Sequence, residues 1–364
     1  MFGLIARPWM VAIGARLLPV ALWLRLPIDW ALRPVFNYFC GGETVVASEA
    51  AIEQLSLYGV QTVLDYSAEG QTGEAALDYT CEQVLATVGA ADGDPRHAFA
   101  VFKVSGLSDD ALLEKVSASA DLNAHQSAAW DRVRGRVQTI CEATASAGGR
   151  VMIDAEQTWL QGAIDELAEE MMAAFNGKTA VVFTTVQMYR HDRLAYVKDL
   201  IRGAETGGYV AGIKIVRGAY MEKERERAED LGLVDPIQVD KVACDRDFDE
   251  AIACCLAAVD RVHFVCATHN ESSSSVLAES MARVSLEADD ARISFAQLLG
   301  MSDHISFNLA AAGHHVAKYV PYGPLREAIP YLLRRATENS SVGGQTSREL
   351  ELIRTELLRR KSKN

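Results

Sequence analysis

Eight short runs of apolar and β-branched residues recur along the chain, and no other feature constrains its fold as tightly. They read VQTVLDY (60–66), AFAVFKV (98–104), RVMIDAE (150–156), AVVFTTVQ (180–187), AGIKIVRG (211–218), HFVCATHN (263–270), ISFAQLL (293–299) and HVAKYVPYG (315–323). Each is strand-length and nearly continuous in apolar residues, as a parallel strand buried on both faces must be. Helix-like segments separate most of them, among them ALDYTCEQVLATVG, AAWDRVRGRVQTICEATASAG, LQGAIDELAEEMMAAFN and RDFDEAIACCLAAV. Strands alternating with helices make βα units. Eight such units predict a (β/α)8 barrel.

The ends of the runs point the same way. Nearly every run finishes in a polar or ionisable residue: Asp65, Lys103, Asp154, Gln187, Arg217, Thr268 with His269, Gln297 and Tyr319. Barrel enzymes place their chemistry at that C-terminal rim. A doubly wound sheet would also bind ligands at strand ends. However, no GxGxxG fingerprint follows any run and no GxxxxGK[ST] loop is present, which disfavours a Rossmann domain.

Composition removes several classes. With 36 basic and 49 acidic residues the net charge is −13, the wrong sign for a general nucleic-acid binder. Hydrophobic residues at 49% exclude a mainly disordered chain. No stretch reaches the roughly 18 to 20 uncharged apolar residues that span a bilayer. The seven cysteines are scattered without a CxxC pair, so reduced thiols are expected rather than a disulfide scaffold or zinc site. No HExxH or paired His–carboxylate motif calls for a metal, and no GxSxG elbow supports serine hydrolysis.

Three segments follow. Residues 1–45 read as an N-terminal amphipathic helical segment, 46–340 as the barrel and 341–364 as a C-terminal helical tail. The first 40 residues carry Arg7, Arg16, Arg25 and Arg33 against one acid, Asp29, and hold Trp9, Trp23 and Trp30. Packing on the barrel is one role for this segment. The other is a membrane-surface helix, since basic residues interleaved with Trp and Leu suit a headgroup interface. In the tail, Thr346 with Glu349 forms a capping-box pattern.

The ionisable candidates sit at the predicted rim. In YLLRRATEN, residues 331–339, helical spacing puts Tyr331, Arg334, Arg335 and Glu338 on one face. Two adjacent guanidinia there form a clamp for a carboxylate or phosphate; the plainer alternative is a solvated face. Lys103 and Asp154 interrupt apolar strands, so they pair with each other, border an acidic ligand, or do both. Lys214 and Arg217 suit an anionic cofactor or pair with Glu222 and Glu224, and Gly218 permits close approach of a ligand. His269 is a metal ligand, a base or a hydrogen-bonding residue. Tyr319, Tyr322 and Tyr331 can wall a ring-shaped substrate, with core packing the alternative for at least one.

Taken together, KxVRGAYMEKER, ATHN, KYVPYG and YLxRRxxEN resemble flavin-dependent proline dehydrogenases of the monofunctional type. FCGGET, TVLDY, VMIDAEQTWLQ and QLLGMSDHISF extend the match from about residue 36 to about residue 345. The resemblance implies a distorted (β/α)8 TIM-type barrel with an N-terminal helical segment, holding FAD without a Rossmann fold. It implies oxidation of L-proline to Δ1-pyrroline-5-carboxylate by hydride transfer to flavin N5, with electrons passed to a membrane quinone. Arg334 and Arg335 would grip the substrate carboxylate, Lys103, Asp154 and Tyr319 would border the proline ring, and Tyr331 and Tyr220 would wall it. Gln187, Lys214, Arg217, Thr268, His269 and Glu338 would contact the flavin. Peripheral membrane association follows, at the cytoplasmic face of a bacterial inner membrane or in the mitochondrial matrix at the inner membrane. The competing functions are a hydroxyproline dehydrogenase, a Schiff-base or proton-transfer enzyme using Lys103 or Lys214, and a flavin-free protein binding small acids.

Overall fold

The computed structural model describes residues 29–67 and 72–341, together with 355, 358 and 359. Eight strands are parallel and close into one barrel in sequence order. They are β1 (Val60–Tyr66), β2 (His97–Lys103), β3 (Val151–Asp154), β4 (Val182–Gln187), β5 (Ala211–Val216), β6 (Val262–Ala267), β7 (Ile293–Leu298) and β8 (Val316–Tyr322). Closure is by β1 on β8, in register from Val60 opposite Val316 to Tyr66 opposite Tyr322. The described helices are α1 (Asp29–Phe39), α2 (Glu49–Ser56), α3 (Glu74–Ala91), α4 (Asp110–Ser117), α5 (Ala124–Ser146), α6 (Thr158–Phe175), α7 (Arg193–Gly207), α8 (Met221–Leu231), α9 (Lys241–Ala257), α10 (Glu271–Arg283), α11 (Asp303–Ala311) and α12 (Ile329–Ser341).

The unbroken apolar runs are explained by two cores. Leu64, Ile153, Ile213, Phe264 and Phe295 point outward and are buried against Ile140, Leu167 and Phe248 of the helices. Val63, Phe99, Met152, Phe183, Val265 and Tyr319 point inward and fill the barrel. Alternation therefore exists, but both faces are dry. Phe99 and Phe183 meet edge to face at 5.1 Å inside the barrel. Gly212 makes room for this pair, since a Cβ there would lie 2.2 Å from the Val182 carbonyl oxygen and 2.9 Å from the Phe183 ring.

Six of the runs overreach the strands at their C-terminal ends. RVMIDAE stops at Asp154, AGIKIVRG at Val216, HFVCATHN at Ala267, AFAVFKV at Lys103, ISFAQLL at Leu298 and HVAKYVPYG at Tyr322. Beyond those points the chain leaves the ladder to build the rim. Asn270 of ATHN caps α10, its side chain accepting from Ser272 N at 2.9 Å and Ser273 N at 3.3 Å.

Helix α1 buries Phe36 and Phe39 against Leu325, Ala328, Tyr331 and Leu332. The glycines of FCGGET then run beside β8, with Gly41 N donating to Pro321 O at 2.9 Å. A Cβ on Gly41 would lie 2.5 Å from the Val320 side chain, so the tight seam needs glycine. Trp30 is 80% exposed. Trp9, Trp23, Arg7, Arg16, Arg25 and the Thr346–Glu349 pattern lie outside the described residues. Among the described residues no helix is long and apolar enough to cross a membrane. All seven cysteines are free thiols, and six are buried.

Candidate active site

A cavity of about 610 Å³ opens at the C-terminal rim of the barrel, within the size range of cofactor and ligand sites. Asp65, Lys103, Asp154, Gln187, Arg217, Thr268, His269, Gln297 and Tyr319, the polar strand-end residues, all line it. Lys214, Tyr220, Tyr331, Arg334 and Arg335 line it as well. Glu338 lies on α12, but its side chain is outside the described residues. The cavity thus gathers side chains spread over more than 270 positions of sequence, from Asp65 to Arg335.

Lys214 is the centre of the inner wall. Its ammonium meets Asp154 Oδ1 and donates to the Tyr319 hydroxyl at 2.5 Å. The Tyr319 hydroxyl in turn donates to Met152 Sδ at 2.8 Å. Burial, then the charges of Asp154 and Asp65, hold this phenol well above its usual range, so it remains a neutral donor. Lys103 and Asp154 stand opposite each other in the β2–β3 register. Lys214, from β5, is an ammonium that reaches the Asp154 carboxylate.

Arg217 is pinned from four sides. Its Nε lies 2.8 Å from Asp245 Oδ1, Nη1 donates to Thr268 Oγ1 at 2.7 Å and Nη2 donates to Ser273 Oγ at 2.9 Å. The guanidinium also lies 4.2 Å from the Phe248 ring centroid. Burial raises the Asp245 carboxyl, and Lys241 and Arg217 outweigh it, leaving it below the usual carboxylate range. Pairing of Arg217 with Glu222 or Glu224 is replaced by this contact. Glu224 instead accepts from Thr158 N at 2.7 Å at the start of α6. Strand β5 ends at Val216, and that break lets Lys214 and Arg217 reach the same cavity from one strand.

His269 Nδ1 lies 3.0 Å from Ser302 Oγ. Burial, then the charges of Lys318 and Arg335, push the imidazole down to about 3. It is a neutral ring at ordinary pH, and among the described residues no group of three His, Cys, Asp or Glu side chains is placed to hold a metal. Gln187 donates to Glu156 O at 2.7 Å and accepts from Ala219 N at 3.2 Å. Arg335 is buried, with its guanidinium 5.4 Å from the Tyr331 ring centroid.

Gly218, with φ +134°, lines the cavity, and a Cβ there would also lie 2.5 Å from the Tyr189 ring. Tyr322 of the tyrosine cluster is core: it is 1% exposed, donates to Gln83 O at 3.2 Å and packs 5.4 Å from Tyr66.

Lys318 was missed. It is fully buried and its ammonium donates to Leu298 O at 3.2 Å, Met301 O at 2.5 Å and Asp303 Oδ1 at 2.7 Å. It secures the loop that carries Ser302 to His269. The signal was present, since a lysine inside KYVPYG must neutralise or find partners. Asp245, Met152 and Glu156 carry no comparable local signal.

A family model described as proline dehydrogenase matches residues 48–348. The chain is 35% identical over 326 residues to the carbapenem antibiotics biosynthesis protein CarD of Pectobacterium carotovorum subsp. carotovorum, covering 90% of this chain and 84% of that one. It is 40% identical over 232 residues to a human protein named proline dehydrogenase 1, mitochondrial, covering 63% of this chain but 39% of the human one. Among solved structures, proline utilization A from Bdellovibrio bacteriovorus, inactivated by N-propargylglycine, superimposes with a TM-score of 0.77 at 18% identity. That match covers 86% of this chain and 34% of the other. At that identity the likeness is one of fold.

Proposed function

Because the chain belongs to the proline dehydrogenase family, we propose that it oxidises L-proline to Δ1-pyrroline-5-carboxylate with FAD and delivers the electrons to a membrane quinone. One observation carries the reading: Arg334 and Arg335 of α12 enter the same cavity as Lys103, Asp154 and Tyr319 of the strands. A cyclic amino acid presents a carboxylate on one side and a ring nitrogen on the other. A paired guanidinium clamp fixes the first, and Lys103 and Asp154 border the second, where charge changes as hydride leaves. Tyr319, Tyr331 and Tyr220 wall the ring.

When bound, the flavin supplies the hydride acceptor. Gln187, Lys214, Arg217, Thr268, His269 and Glu338 would hold it. The donor set suits that cofactor, because Arg217 is a fixed cation in the cavity wall and a fixed cation stabilises a reduced, anionic ring. Neutral His269 adds a ring without adding charge. Lys214 is held by Asp154 and Tyr319, so it also orients the substrate side. In this reading residues 46–340 are the catalytic barrel and the first 45 residues carry the membrane-facing segment, at a bacterial inner membrane or a mitochondrial one.

The test is optical. The purified protein is expected to be yellow, and anaerobic L-proline is expected to bleach the flavin band. A colourless protein that takes up no added FAD would sink the proposal and favour a Schiff-base enzyme or a binding protein.

A further inference from the structure

Glu156 is a buried carboxylate that the mechanism above leaves unused. It is 3% exposed and follows β3 by two residues. Its carboxylate accepts from Ser105 N at 2.9 Å and from the Ser105 hydroxyl, in the turn immediately after Lys103. Its backbone carbonyl accepts from Gln187 Nε2 at 2.7 Å, at the end of β4. Its backbone N–H donates to Gln161 Oε1 at 2.8 Å, and the Gln161 amide is itself oriented by Asp165 at 2.8 Å. One residue therefore ties the ends of β2, β3 and β4 together.

We propose that Glu156 is a positioning residue of the substrate site, holding in register the three adjacent strand ends that carry Lys103, Asp154 and Gln187. The inference rests on reading Lys103 and Asp154 as substrate-site residues. Strand pairing already sets the spacing of the strands, but Lys103 and Asp154 are the last residues of theirs. Beyond them the backbone has no ladder partner, and the Glu156 contacts replace it.

Reach matters here more than charge. Burial pushes the Glu156 carboxyl up to about 7, against the Ser105 hydrogen bonds and the Lys103 charge, with Asp110 adding to the upward push. A neutral carboxyl keeps both contacts, one oxygen accepting from the Ser105 amide and the hydroxyl donating to Ser105 Oγ. A glutamine does the same with its carbonyl and its amide. An aspartate keeps the charge but is one methylene too short.

The experiment compares Glu156→Gln with Glu156→Asp in the flavin-loaded full chain. L-proline binding is measured by calorimetry, limiting rates by anaerobic flavin reduction, and backbone amide exchange over residues 104–107 by mass spectrometry. The aspartate variant should bind L-proline about tenfold more weakly, with a smaller fall in limiting rate, and should exchange those amides about tenfold faster. The glutamine variant should stay within about twofold of the parent in all three. A glutamine variant as impaired as the aspartate one, or an aspartate variant indistinguishable from the parent, overturns the proposal. Failure of L-proline to bleach the parent protein refutes the proposed function instead, and the exchange comparison still decides the role of Glu156.

Discussion

Lys214 on β5 and Tyr319 on β8 meet inside the barrel mouth, with the ammonium 2.5 Å from the phenol oxygen and 4.7 Å from the ring centroid. Strands β6 and β7 lie between them in the sheet order, so the contact spans the barrel interior. Asp154 of β3 takes a second proton of the same ammonium. A charge pair this deep stabilises only while each partner keeps the other satisfied.

Replacing Lys214 with Met should therefore lower stability by about 3 kcal/mol, because Asp154 is left as a buried charge without this counterion. Adding Asp154→Asn should recover part of that loss, since the two sites share one interaction. Urea unfolding of the two single variants and the double variant measures it. Strictly additive losses would show that the pair is not coupled.

Tyr319→Ser should open the wall beside the substrate ring and raise the hydroxyproline-to-proline ratio of kcat/KM by about tenfold or more. Tyr319→Phe keeps the ring's bulk and loses only the hydroxyl contacts to Lys214 and Met152. It should leave the discrimination in place. Unchanged hydroxyproline turnover in the serine variant would remove Tyr319 from the specificity account.

Either Arg334→Lys or Arg335→Lys should raise the KM for L-proline on the order of 100-fold. A lysine preserves charge but not the planar fork that grips a carboxylate. A ligand without a carboxylate, such as pyrrolidine, should be nearly indifferent to the change. Steady-state kinetics on both compounds separates lost clamping from general damage.

The depressed His269 has a defined consequence for pH. Its folded value of about 3 lies below the ordinary 6.5, so the unfolded chain binds a proton first as pH falls. The sign is loss of stability as pH drops from about 6.5 towards 3, with the full contribution present above 6.5. His269→Asn should flatten the thermal midpoint over that window. An equal acid slope in parent and variant would assign the loss to other groups.

The rim was legible because its signal is local. A polar residue ending an apolar run is visible one strand at a time, and each such residue does line the cavity. The arginine pair was legible for a similar reason, since Arg334 and Arg335 share a helix that follows the last strand, where a barrel helix meets the rim. Gly218 lines the cavity as well, but a glycine announces only that something comes close, and its tight contact inside the protein was not legible. Its neighbour is Tyr189, nearly thirty residues earlier.

What the sequence determined by itself is the set of βα units and the identity of the rim residues, because hydrophobic period and strand length are properties of short segments. What only the tertiary structure decided is who meets whom across the mouth. Lys214 finds Asp154 and Tyr319, Arg217 finds Asp245, and Glu156 finds Ser105. Each of these pairings joins distant parts of the chain. They depend on how the closed barrel staggers its strands, and that stagger is set by the packing of the whole ring rather than by any one of its segments.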